Sequence, residues 1–183
     1  RWPADQAVTL HSLALYDGNF KQQLSRRPVA AWLHFLDSKG ISKRWRLPLS
    51  EVTGGAGKGR HPRGCALSWT VRYMHLFAPA RAARLWGRYK ELFMVRKGIF
   101  AGFREWPPGI RRRADADSGP IVHGIGGAAT GLALGASRVL GDSTTYTMLR
   151  ASEVAVRAAG DKRLRRAGAS ILARSISLQA HSY

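Results

Sequence analysis

The chain is 183 residues long, with 45% hydrophobic and 22% charged residues, a balance that excludes a disordered polymer and suits one domain with a real core. Its 30 Lys and Arg face 11 Asp and Glu, a formal net charge of +19, which attracts anionic polymers and lipid through non-specific electrostatics but says nothing about fold. A single cysteine, Cys65, excludes an internal disulfide and any zinc site built from several cysteines.

The sequence starts at Arg1-Trp2-Pro3 with a motif already under way, and no N-terminal signal peptide is visible. It reads as a fragment or a processed chain. Residues 4–16 place Ala7, Val8, Leu10, Leu13, Ala14 and Tyr16 at helical spacing, and Asp17-Gly18 is the expected stop. A second amphipathic helix is predicted over 20–36, kinked or restarted at Pro28 and closed by Lys39-Gly40. Residues 40–63 carry no period and form an internal loop, in which Gly54 to Gly59 lacks the Lys-Ser/Thr ending of a phosphate loop.

Arg63-Gly64-Cys65 opens an apolar helix over 66–77, and Pro79 starts an amphipathic one over 80–97, with Leu85, Trp86, Tyr89 and Phe93 inward. A polar loop then leads to a helix of small residues over 120–140. Gly141-Asp142-Ser143 stops it and caps a helix over 143–159. The end of the chain, 161–183, is predicted as a basic tail helix with Leu164, Ile171, Leu172 and Ile176 on its apolar side. No stretch alternates for long enough to make a convincing strand. The fold expected is therefore all-α, a single α-helical domain over 1–183.

Three openings recur, each a loop bearing Pro with Arg or Asp ahead of an apolar helix: Trp2-Pro3-Ala4-Asp5, His61-Pro62-Arg63-Gly64 and Asp117-Ser118-Gly119-Pro120. That is the layout of stacked α-hairpins, with one helix of each pair lining an inner ring and the three loops on one rim. The stretch 120–140 is also long enough for about one bilayer crossing, and Gly127, Gly131 and Gly135 form a close-packing ridge. His123, Thr130 and Ser137 dilute it. The inner-ring reading is preferred.

Together with Pro62 to Trp69 and Gly102-Phe103-Arg104-Glu105-Trp106-Pro107, these motifs resemble bacterial α/α-toroid proteins akin to the six-hairpin glycosidase and linalool dehydratase/isomerase-like group. The resemblance covers most of residues 2–142, with Gln6 standing where an Asn is expected. It implies an α/α toroid with a pocket at its mouth and cofactor-free acid/base chemistry on sugars or small alcohols. Three hairpins are half of such a toroid, so the chain would be its C-terminal part or close differently.

The chemistry rests on the rim. Asp5, Asp115 and Asp117 are the candidate catalytic carboxylates, since paired acids can divide labour when burial keeps one protonated. Helix capping by Asp117 or Ser118 is the plain alternative. Arg63 and Arg104 can orient a carboxylate or anionic group, or simply form structural ion pairs with the acids. Trp2, Trp69 and Trp106 can enclose a substrate or pack in the core, and Glu105 and Ser118 complete the candidate binding set. Cys65 reads as a small buried residue, and His61, His75 and His123 are too scattered for a metal site. Gly124 to Ala129 fits a loose dinucleotide pattern, but no strand long enough precedes it.

The function expected is a hydrolase or lyase acting on a carbohydrate or small hydroxylated substrate, with no cofactor and no metal. The alternative is a non-catalytic, envelope-associated or anionic-polymer-binding protein. Contact with anionic polymer or lipid would be non-specific, with no specific nucleic acid as partner, and the resemblance implies a bacterial setting, either cytoplasm or envelope.

Overall fold

The computed structural model describes residues 1–53, 61–98 and 100–158. The glycine loop at 54–59 and the predicted tail helix at 161–183 lie outside the described residues. Pro3, whose missing N–H costs nothing in a first turn, begins helix α1 (Pro3–Phe20). This helix runs past Asp17-Gly18, the expected stop, because the Asp17 side chain is engaged further along: it accepts from the Leu24 and Ser25 amides and the Ser25 hydroxyl. Lys21, at φ 55°, ends the helix instead. Helix α2 (Arg26–Phe35) takes Pro28 within its first turn and runs into a π-helical turn, Leu36–Gly40.

Helix α3 (Gly64–Phe77) is the central element, packed against α1, α4 (Pro79–Phe93) and α5 (Gly127–Val139). Its Leu67, Val71 and Met74, spaced to share one helical face, are all buried. Helix α6 (Ser143–Ala158) lies against α5. Asp142 caps it by accepting from the Thr145 amide at 3.0 Å, and also receives Trp86 Nε1 and Lys90 Nζ from α4. The side chain that begins α6 therefore also fixes α4.

The expectation of an all-α stack of hairpins, part of an α/α toroid, is overturned. Among the described residues two small antiparallel sheets accompany the helices, giving a mixed arrangement of α with a little β. Strands β1 (Met94–Lys97) and β2 (Phe100–Phe103) pair from Met94↔Phe103 to Lys97↔Phe100. Strands β3 (Ile121–Val122) and β4 (Ile125–Gly126) pair through a tight turn in which His123 and Gly124 both have positive φ, 50° and 83°. Such mirror-image turns match the twist of a hairpin and are incompatible with a helix.

Strands of four and two residues are too short to display a period of two, and Met94 and Val95 simply prolong the apolar spacing of α4. The predicted helices therefore shorten: 80–97 ends at Phe93 and 120–140 begins only at Gly127. What the first hairpin gains is burial. It returns Phe103 to the core, where its ring lies 5.4 Å from Trp86 and 4.6 Å from Tyr89. Among the described residues no helix is long and apolar enough to cross a membrane.

Candidate acid/base site

The short hairpins decide where the polar motifs fall. An antiparallel bridge joins Arg104 to Ile125, and the Glu105 amide donates to the Gly124 carbonyl at 3.2 Å. Glu105 is thus carried to the start of α3, where its own carbonyl accepts the Gly64 amide at 2.8 Å. The approach is so close that a Cβ on Gly64 would stand 2.1 Å from the Arg104 carbonyl oxygen. Only glycine fits there.

Arg63, extended at the N-terminus of α3, gathers carboxyls from two other segments. Its Nε donates to Glu105 Oε1 at 2.8 Å and its Nη2 to Asp115 Oδ1 at 2.8 Å, while Nη1 stands 3.7 Å from Asp117 Oδ2. The guanidinium lies over the Trp106 ring, 4.8 Å from its centroid, and Arg112 also approaches that ring at 5.3 Å. Charge-assisted forks of this kind are stronger than neutral hydrogen bonds. The loop holding Asp115 is itself tied down, because the Ser118 amide donates to Asp115 Oδ1 and the Asp115 amide to the Ser118 hydroxyl, both at 2.9 Å.

The three carboxyls differ in environment. The Glu105 side chain is completely buried, and burial pushes its pKa up by more than Cys65 and Arg63 pull it down. Both donors, the Cys65 thiol at 3.1 Å and Arg63 Nε, use Oε1. Among the described residues Oε2 has no hydrogen-bond partner, and Gly126 closes over it so tightly that a Cβ there would stand 2.8 Å away. For Asp115 partial burial works the other way from the outcome: bonds from Arg63 and the Ser118 amide hold it below the usual carboxylate range. The Asp117 side chain is 81% exposed. Solvent reaches it freely.

Burial and the neighbouring Glu105 push the Cys65 thiol well up, so it is a donor here and a poor nucleophile. Beneath it, the Tyr89 hydroxyl donates to the Gly64 carbonyl at 2.9 Å and meets Ser68 Oγ at 2.9 Å. Neither Tyr89 nor Ser68 stood out in the sequence, where Tyr89 read as one more inward residue of an amphipathic helix. Arg112 read only as part of a charged run.

The structure thus brings together Arg63, Glu105, Trp106, Asp115, Asp117 and Ser118. Asp5 is exposed on the first turn of α1, and among the described residues no ion pair or hydrogen bond joins its side chain to the Arg63 group. Trp2 is exposed at the head of the same helix. Trp69, on α3, packs against the small cluster of Cys65, Ala128 and Leu132 and 6.1 Å from the Tyr73 ring. Arg104 turns its guanidinium toward Gly124. The capping alternative also changes: α5 begins at Gly127, so neither Asp117 nor Ser118 caps it with a side chain, although the Ser118 carbonyl accepts the Ala128 amide at 3.1 Å. Among the described residues no group of three His, Cys, Asp or Glu is placed to hold a metal ion.

No protein-family model matches the chain, and no curated protein matches it. The assignment of the site therefore rests on the geometry around Arg63.

Proposed function

We propose that the Arg63 cluster is the acid/base site of a hydrolase or lyase acting on a carbohydrate or small hydroxylated substrate. The observation that carries this reading is the placing of three carboxyls, from two segments, around one guanidinium in unlike environments: Glu105 buried and pushed up, Asp115 held down, Asp117 open to solvent. One cation holding an anionic Asp115 beside a solvent-open Asp117 sets two carboxyls in unlike surroundings, an arrangement that general acid/base chemistry uses. Asp117 is the carboxylate that meets the substrate. Asp115 stays anionic and favours positive charge developing beside it.

Glu105 is too deeply buried to touch a substrate, and its part is to lock Arg63, which in turn aims both aspartates. The Trp106 ring, already approached by Arg63 and Arg112, gives the site a floor rather than a free stacking platform. The motif resemblance supplies the substrate class. The test is a turnover screen of the wild-type chain on aryl glycosides, polysaccharides and small hydroxylated substrates, following released phenol, reducing ends and unsaturated products. Turnover that falls about a hundredfold or more in Asp117→Asn, with an unchanged far-UV spectrum, supports the reading. Turnover in Asp117→Asn equal to wild type, or none in the wild-type chain on the whole panel, sinks it.

A further inference from the structure

A second charged feature lies away from these carboxylates. After the π-helical turn the chain doubles back in a tight loop, closed by an Ile41↔Pro48 bridge, by the Ser42 amide on the Leu47 carbonyl at 2.9 Å and by the Arg46 amide on the Ser42 carbonyl at 2.7 Å. Its tip reads Lys43-Arg44-Trp45-Arg46. Trp45 and Leu47 are buried and anchor it, while Lys43, Arg44 and Arg46 are exposed. Arg46 takes φ 57° to complete the turn.

Helix α4 supports the tip from the side. Arg88 Nε donates to the Trp45 carbonyl at 3.1 Å, and exposed Arg84, one turn earlier, shares its face. Acids on this surface are already matched: Asp37 pairs with Arg81, and Glu91 with Arg88 at 2.7 Å. Lys39, Lys43, Arg44, Arg46 and Arg84 have no acidic partner among the described residues. The Arg44 guanidinium rests 4.5 Å from the Trp45 ring centroid, which restrains it, and among the described residues no hydrogen-bond acceptor meets its N–H groups.

We propose that the 43–46 tip and the adjoining face of α4 bind the phosphate backbone of a nucleic acid without sequence preference. Cations this closely spaced suit the densest polyanion, and guanidinium forks pair well with phosphate oxygens. A membrane surface fits less well. Its binders bury aromatic and aliphatic side chains among the lipids, and here Trp45 faces the protein. This surface is independent of the acid/base proposal.

The test is fluorescence anisotropy of a labelled DNA duplex titrated with the full chain over a series of NaCl concentrations. Wild type is expected to bind with log K falling linearly against log salt. Combined Lys43→Ser, Arg44→Ser and Arg46→Ser should weaken binding and flatten that slope by about 0.9 for each phosphate that is no longer neutralised. Arg84→Glu, on an exposed helical position that leaves the loop intact, should weaken it too. The control removes equal charge elsewhere, with Arg96→Ser, Arg111→Ser and Arg113→Ser combined. If the control weakens binding as much as the tip variant, net charge alone is responsible and the surface is overturned. No binding to the duplex at low salt, or tighter binding to anionic vesicles or an acidic polysaccharide at the same salt, overturns it as well.

Discussion

Arg63 Nε and Glu105 Oε1 are 2.8 Å apart, and that bond ties the head of α3 to the segment leaving β2. The Glu105 side chain is wholly buried and that of Arg63 is 12% exposed, so removing Arg63 strands the Glu105 carboxyl, and removing Glu105 leaves a buried gap beside an Arg63 that keeps Asp115. Glu105→Ala should therefore lower unfolding free energy by about 3–5 kcal/mol. Arg63→Ala with Glu105→Ala together should cost less than the sum of the two single changes, because the buried Glu105 carboxyl is no longer left behind without Arg63, although Asp115 still loses its guanidinium. Urea denaturation of the four proteins checks this. Additive losses would mean that the pair is not coupled.

Glu105 and the aspartates should give stability opposite pH dependences. The folded pKa of Asp115 is depressed, as are those of Asp37 and Asp142. Each contributes stability that is present above its unfolded pKa and is lost as pH falls through the folded value, so an acid limb is expected below about pH 4. Glu105 is raised, so between its unfolded and folded pKa values the native state binds the extra proton and stability falls as pH rises. Glu105→Gln should abolish that decline and leave the acid limb in place. Denaturation midpoints measured across pH separate the two effects, and a Gln variant that follows the wild-type curve would contradict the assignment to Glu105.

How far all this could be read from sequence depends on the range of each signal. Pro79 at the start of α4, Gly141-Asp142 between α5 and α6, and the period of Leu67, Val71 and Met74 are local, and they mark helices directly. The hairpins are equally local but too short: two residues in β3 and two in β4 cannot show alternation, and the turn at His123-Gly124 lies inside an apolar glycine-rich run that looks helical. The rim residues were legible as motifs, yet motifs carry no distances. Nothing in Trp2-Pro3-Ala4-Asp5 distinguishes it from the other openings, although among the described residues Asp115 and Asp117 reach Arg63 and no bond joins Asp5 to it. Which acids meet the guanidinium is a tertiary matter.

Two glycines on helices should respond in opposite ways to the same methyl group. A Cβ at Gly64 would meet the Arg104 carbonyl oxygen at 2.1 Å, and backbone cannot step aside as a flexible side chain can. Gly64→Ala is expected to cost about 3 kcal/mol, the upper end for overpacking, and to disturb the Arg63–Glu105 pair with it. At Gly87, on α4, nothing among the described residues lies within 4 Å of the added carbon. Gly87→Ala should stabilise by about 0.5–1 kcal/mol through helix propensity. Thermal unfolding of both variants reads the contrast, and a Gly64→Ala protein as stable as wild type would refute the close approach.

The Cys65 thiol should be slow to alkylate while the chain is folded. It is buried, its proton points to Glu105 Oε1 at 3.1 Å, and burial with the adjacent carboxyl raises its pKa, so little thiolate exists near neutral pH. Labelling by iodoacetamide is then expected to follow global unfolding: negligible in native buffer, rising through the urea transition with the same midpoint as the far-UV signal. Glu105→Gln removes the neighbouring negative charge without opening the site, so native-state labelling should remain slow in that variant. Rapid native labelling of wild type would place the thiol at the surface and break the link between Cys65 and the buried end of the Arg63 cluster.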